Sequence, residues 1–263
     1  MNAKGVAFKL LLAMIILFTL GSDAAYSEEI YDWNFKPAKN NQPATTEPHY
    51  IELLDRYDGY YIGDTEEKNL YLTFDSGYEN GCTEVILDVL QEKNVPAAFF
   101  VTGHYLEKQE DLIKRMTSEG HIVGNHSWSH PSLPELSNEK IVQELSKVNH
   151  LYNDMTGKEM KYLRPPQGTF NERTLSIAKD EGYQHIFWSF AYVDWNTGTQ
   201  KGKDYAYDRI MGRVHPGAVL LLHSVSQDNA EALGDVIDDL EAEGYQFQSL
   251  DHLTGTEPFF PLH

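Results

Sequence analysis

A parallel α/β fold of the barrel kind is predicted by three features of the sequence. From residue 69 onward, short apolar runs alternate with segments of helical period, seven times, at intervals of about 25 to 30 residues. The Gly-x-Gly-x-x-Gly and Gly-x-x-x-x-Gly-Lys-Ser/Thr patterns that cradle nucleotide phosphates are both absent, which disfavours the nucleotide-binding members of this class. Residues able to do chemistry gather just after the apolar runs, at the strand ends where such barrels carry their active sites.

The elements follow in order. Residues 28–65 are rich in Asn, Pro, Thr and Tyr and show no long period. Asp32-Trp33-Asn34-Phe35 could form an anchor strand, but the stretch mostly reads as an extension that wraps the domain. Residues 70–74 are predicted to be the first strand and 85–91 a helix. A strand over 97–101, a helix over 111–119 closed by Gly120, and a short strand over 122–124 come next. Ser137 can cap a long helix that runs to about Met155 and stops at Gly157. Further strands are expected at 162–164, 186–189, 219–222 and 245–247. Helices lie between them near 172–181, 205–213 and 231–243. The main domain is therefore placed at 66–250, with a tail at 251–263.

The chain has 263 residues, 41% hydrophobic and 23% charged, so a sizeable core can form and global disorder is disfavoured. Its 21 basic and 40 acidic residues give a formal net charge of -19, which argues against nucleic acid as a partner. The single cysteine, Cys82, excludes an internal disulfide framework and a Cys-based structural zinc site. Lys4 and Lys9 precede an apolar run over 10–20, and small or polar residues follow it to Ser27. This is the pattern of a secretory signal peptide, with cleavage near Ser27 or at Ala24 or Ala25; an uncleaved anchor is the alternative. The run falls well short of the roughly 20 residues that a spanning helix needs, so no stable membrane span is expected after cleavage.

The strand ends carry the chemistry. Asp75 follows the first run inside Thr73-Phe74-Asp75-Ser76-Gly77, where it could meet a ligand or simply cap a helix. His126 and His130 stand four residues apart in His126-Ser127-Trp128-Ser129-His130; such a pair can face one cation, whereas a single His is more often packed or on the surface. Arg164 opens Arg164-Pro165-Pro166-Gln167-Gly168 and could hold a carboxylate or form a structural ion pair. Asp194 lies in Val193-Asp194-Trp195, and His223 ends Leu220-Leu221-Leu222-His223. An Asp within reach would raise the pKa of such a His and make it a usable acid near neutral pH; a core histidine is the plainer reading.

These five segments, in this order, resemble the five motifs of the NodB-like polysaccharide deacetylases, carbohydrate esterase family four, over about residues 66–250. The flanking text from Trp33 and the run from Thr73 to Gly81 are similar to one subgroup, the δ-lactam-biosynthetic N-acetylmuramic acid deacetylases of spore-forming bacteria. The resemblance implies a distorted (β/α)7 barrel, in agreement with the seven units, and metal-assisted hydrolysis of an N-acetyl group. It implies Asp75 as general base, His126 and His130 as ligands of a weakly bound divalent cation (Zn, Mn or Co), and the Gln167 backbone N–H at the oxyanion. It further implies His223 as general acid, oriented by Asp194, and Arg164 as the partner that keeps Asp75 ionised.

The chain departs from the family at Ser76, where most members carry a second Asp that ligates the metal. A more open site is then expected, with Asp75 itself a possible ligand. Tyr78, Trp128, Trp195 and Tyr192 could stack on sugar faces, although core packing is the commoner fate of such rings. The implied partner is the glycan strand of peptidoglycan, reached after secretion in the cell wall or spore cortex region, by a monomer. The product amine would close on the lactyl carboxyl to give muramic δ-lactam. Rival readings are a chitin or chitooligosaccharide deacetylase, an inactive glycan-binding module, and a glycosidase with Asp75 and Glu79 as its carboxylates.

Overall fold

The structure, a computed structural model, describes residues 29–39 and 42–256. The expected signal peptide lies outside the described residues, as do residues 257–263 of the expected tail. The strands in chain order are β1 (Tyr31–Asp32), β2 (Gly59–Tyr60), β3 (Asn69–Ser76), β4 (Ala98–Val101), β5 (Ile122–Asn125), β6 (Tyr162–Leu163), β7 (Thr169–Phe170), β8 (Gln184–Ile186), β9 (Val219–His223) and β10 (Gln246–Phe247). The helices are α1 (Pro48–Arg56), α2 (Thr83–Lys93), α3 (Gly103–Lys108), α4 (Glu110–Ser118), α5 (Asn138–Thr156), α6 (Glu172–Asp180), α7 (Lys203–Met211), α8 (Gln227–Ala242) and α9 (Leu250–Leu253).

The main sheet is parallel throughout, in the order β10-β3-β4-β5-β6-β8-β2, with β9 pairing along β3. All eight residues of β3 are buried, as an inner strand covered on both faces requires. The sheet curls: beyond β8, Phe190 forms a parallel bridge with Leu220 of β9, bringing the two ends together. The result is the expected distorted barrel, with helices packed on its outer face. Its seven predicted strands are β3, β4, β5, β6, β8, β9 and β10. The run expected as a strand over 186–189 is displaced, because Ser189 and Phe190 leave the β8 ladder and donate to the Val219 carbonyl.

The long helix is bounded as expected. The Ser137 hydroxyl accepts from Lys140 N–H, and Gly157 closes the helix in the left-handed region at φ 70°. Other elements have no forecast in the sequence. Helix α1 buries only Tyr50 and Leu54, too few to show a period; α3 is six residues long. The 28–65 segment is more than a wrapping: Gly59–Tyr60 joins the main sheet beside β8.

The alternation of side chains along each strand sorts the core into two sets. Leu70, Leu72 and Phe74 of β3, Phe99 of β4 and Leu220 and Leu222 of β9 pack outward against the helices. Tyr71, Phe100, Tyr162, Ile186 and Val219 pack together inside the barrel. Continuing the inner parity to the C-terminal ends brings Asp75, His126, Arg164, Trp188 and His223 to one mouth.

Candidate active site

That mouth opens into a cleft of about 680 Å³, lined by Asp75, His126, His130, Gln167 and His223 among others. Arg164 lies beneath it, fully buried, with its cation spread over three acceptors. Nη1 donates to Asp75 Oδ1 at 2.7 Å, Nη2 to Thr73 Oγ1 at 2.8 Å and Nε to the Ile186 carbonyl at 3.1 Å. The Phe100 ring backs the guanidinium, with Cζ 4.2 Å from its centroid. Burial would raise the Asp75 pKa, but the Arg164 charge, helped by His126 and His223, outweighs it and holds the carboxyl below its ordinary range.

The His126 ring is held in one tautomer. Its Nδ1 lies 2.8 Å from the Arg164 carbonyl, which can only accept, so Nδ1 carries the proton and Nε2 a free lone pair. That lone pair faces Asp75 Oδ2 at 3.4 Å. Burial pushes the His126 pKa down to about 4, so no second proton fills the gap at neutral pH. A lone pair facing a carboxylate oxygen is repulsive unless a cation relieves it. His130 brings a second imidazole, its ring centroid 4.8 Å from that of His126. The donor set suits a divalent cation. Among the described residues, no three His, Cys, Asp or Glu side chains gather closely enough to complete a metal shell unaided.

Across the cleft, His223 Nδ1 lies 2.7 Å from Asp194 Oδ1. Asp194 Oδ2 accepts from the His223 backbone N–H at 2.8 Å and from Asn229 Nδ2 at 2.6 Å. Burial works against the imidazolium, but the Asp194 hydrogen bond and charge prevail and raise the His223 pKa above its usual 6.5. Trp195 leans on the same imidazole at 5.3 Å between ring centroids.

Three of the five non-glycine residues with positive φ among those described lie in the two loops that flank this cleft: Ser127 at 62°, His130 at 58° and Gln167 at 61°. Strain of this kind persists where surrounding contacts over-determine it, as in a preorganised site. Gln167 turns its side chain to the His130 carbonyl at 3.3 Å, tying the two loops together.

Some expectations change. Ser76 takes no part in the cleft: it has the outward parity of β3, is fully buried, and its hydroxyl lies 2.8 Å from that of Ser224. Tyr192 is packed in the core, with its hydroxyl bonded to Asn229. Glu79, the second carboxylate of the glycosidase reading, is occupied elsewhere: it accepts from Gly81 N–H at 2.6 Å and from the Thr83 and Tyr105 hydroxyls, pinning the start of α2. Tyr78 and Trp195 line the cleft, 47% and 51% exposed, and can meet a ligand face. Trp128 also lines it but is half-buried, held between Gly103 and Lys147, whose Nζ sits 3.4 Å from the ring centroid. Trp188, Thr73 and Asn229 were not singled out from the sequence. Alternation continued two residues past Ile186 would have marked Trp188; nothing local marks Asn229, which arrives on α8.

Fold and site together define a hydrolase. A carboxylate kept ionised by a buried Arg faces an imidazole backed by a buried Asp, across a cleft with two further imidazoles. A family model described as polysaccharide deacetylase matches residues 62–186. PdaA of Bacillus subtilis (strain 168), a peptidoglycan-N-acetylmuramic acid deacetylase, is 50% identical over 230 residues, 87% of this chain and 88% of its own. The solved structure of Bacillus subtilis PdaA, a family 4 carbohydrate esterase, aligns with a TM-score of 0.85 over 88% of this chain and 99% of that one, at 50% identity. A family 4 carbohydrate esterase from Bacillus anthracis, 47% identical, aligns with a TM-score of 0.75 over 89% of this chain and 100% of that one. The chain belongs to the polysaccharide deacetylases, carbohydrate esterase family 4.

Proposed function

We propose that this protein hydrolyses the N-acetyl group of N-acetylmuramic acid in peptidoglycan glycan strands. One observation carries the reading: Asp75, His126, His130 and His223 line a single cleft, with Arg164 bonded behind Asp75 and Asp194 behind His223. The likeness to PdaA over most of both chains supports the muramic acid substrate.

His126 and His130 would hold a divalent cation, with Asp75 beside them. A bound Zn, Mn or Co ion would supply Lewis acidity toward the acetyl carbonyl and the attacking water. Asp75 takes a proton from that water, and Arg164 below keeps the carboxylate in its basic form. The Gln167 backbone N–H stabilises the negative oxygen of the tetrahedral intermediate. His223, protonated beforehand and steadied by Asp194, gives its proton to the departing amine. Acetate and a free glucosamine-type amine result. Where the stem peptide is absent, that amine can attack the lactyl carboxyl and close the muramic δ-lactam of spore cortex. Tyr78, Trp128 and Trp195 offer ring surfaces to the sugars. The setting is the cell wall, after export with loss of residues 1–27; among the described residues no helix is long and apolar enough to cross a membrane.

The test is mass spectrometry of glycan strands stripped of stem peptides, incubated with the protein and each candidate cation. Loss of one acetyl per muramic residue is expected. Acetyl loss from chitin oligomers alone would point to the chitooligosaccharide reading, and glycan binding without acetate release to an inactive binding module. His223→Ala is expected to lower the rate by roughly 10² to 10⁴, the span usual for acid–base groups.

The pH dependence follows from the site. The acid must be protonated, so activity is lost as pH rises through the His223 pKa, which lies above 6.5. Asp194→Asn removes the largest contributions that raise this pKa; Asp75 still raises it, but burial and Arg164 lower it. The basic limb of the kcat/KM profile is therefore expected to move to lower pH. A limb that stays in place would remove His223 from the acid role.

A further inference from the structure

The loop that carries Gln167 is held partly by its own bonds and partly from outside. Gln167 and Gly168 are consecutive left-handed residues, at φ 61° and 71°, and inside the loop the Gly168 N–H reaches the Pro165 carbonyl at 3.1 Å. Further restraint comes from the Gln167 side chain on the His130 carbonyl, from the Thr169 hydroxyl on the Pro166 carbonyl and Ser132, and from the N-terminal extension. Strand β1 pairs antiparallel with β7, Tyr31 opposite Phe170 and Asp32 opposite Thr169. One residue on, the Trp33 N–H donates to the Gly168 carbonyl at 2.8 Å. The Trp33 indole N–H donates to the Trp188 carbonyl at 3.0 Å, and its ring packs 4.5 Å from Phe187. Gly168 and Trp188 both line the cleft. A Cβ added at Gly168 would lie 3.2 Å from Trp33 Cβ and 2.9 Å from the Trp188 ring, so the Trp33 and Trp188 side chains close on the Gly168 backbone and leave no room for a side chain there.

We infer that Trp33 is a positioning residue for the deacetylation: it clamps the 165–168 loop and Trp188 together, and so sets where the Gln167 N–H points. It does so from outside residues 62–186, the stretch matched by the family model. The inference rests on the function proposed above, because it assigns the Gln167 N–H to the transition state. Such a clamp acts on the chemical step and leaves glycan binding by the exposed rings alone.

Steady-state kinetics on the muramic glycan, together with hydrogen exchange over 165–170, test it. Trp33→Phe keeps an aromatic ring and the main-chain bond but removes the indole donor. It is expected to lower kcat about threefold to tenfold at unchanged KM. Trp33→Ala is expected to lower kcat by about 10², the loss typical of a small misplacement, with faster exchange confined to 165–170 and the Trp188 segment. Leu90→Ala, in the helix-side core away from the cleft, is the stability control: it lowers the melting temperature while kcat per folded molecule holds. Trp33 variants that behave like Leu90→Ala, with kcat per folded molecule unchanged and exchange raised everywhere, would overturn the inference. A wild-type protein that releases no acetate would instead defeat the deacetylase reading. The exchange pattern would then decide the clamp by itself.

Discussion

Asp75→Asn is expected to abolish most acetate release, by about 10⁴-fold, with the fold retained. The replacement is nearly isosteric. The Asn carbonyl can still accept from Arg164 Nη1, now 2.7 Å from Asp75 Oδ1, and the Asn amide can donate to the free Nε2 of His126 across the present 3.4 Å. What disappears is the charge and the ability to take a proton from water. Arg164 is left without its counter-ion but keeps Thr73, the Ile186 carbonyl and the Phe100 face. The measurement is kcat per folded molecule, with circular dichroism as the check on folding. Residual activity within tenfold of wild type would show that another group takes the proton, and the mechanism above would fall.

Arg164→Met is expected to have the largest effect on stability. The side chain is fully buried, and removing it leaves the Asp75 carboxylate in the barrel with no cation beside it. Breaking a buried pair from one side costs about 3–5 kcal/mol. For a chain of this size that corresponds to a fall of about 10 °C in melting temperature. The pH dependence has a definite sign. In the wild type the folded Asp75 pKa lies below its unfolded value, so the pair stabilises the protein above about pH 4 and that contribution fades as pH falls through the folded pKa. In the variant, burial is opposed only by His126 and His223, so the folded pKa lies higher than in the wild type and protonation at acid pH relieves the penalty. The gap in melting temperature between the two proteins should therefore narrow on acidification. Removing both charges, as Asp75→Leu with Arg164→Met, should recover much of the stability but none of the activity. A constant gap from neutral to acid pH would contradict the account. Lysine cannot replace Arg164, because one ammonium cannot match the planar fork that meets three acceptors here.

The motif residues were legible from local pattern alone. Each follows an apolar run, and period-2 alternation along a strand that ends at a known residue says which neighbours share its face. That reasoning reaches Asp75, His126, Arg164 and His223. Applied to β3 it also places Ser76 on the opposite face from Asp75. The long α5 helix was legible for the same reason, since its cap at Ser137 and its stop at Gly157 are local chemistry. Helix α1, strand β2 and the β1–β7 pair were not. Each is short, and each is stabilised by contacts with residues more than a hundred positions away.

By itself the sequence determined the chemistry on offer: the set of ionisable groups, their order along a parallel α/β chain, and the side of each strand they occupy. Only the tertiary structure decided their charges and partners. Burial beneath the mouth couples Arg164 to Asp75, α8 brings Asn229 to Asp194, and the N-terminal strap meets the Gln167 loop. The reason is physical. Side-chain identity and alternation are local, whereas a pKa or a backbone orientation in a dry cleft depends on which distant charges and hydrogen bonds are packed against it.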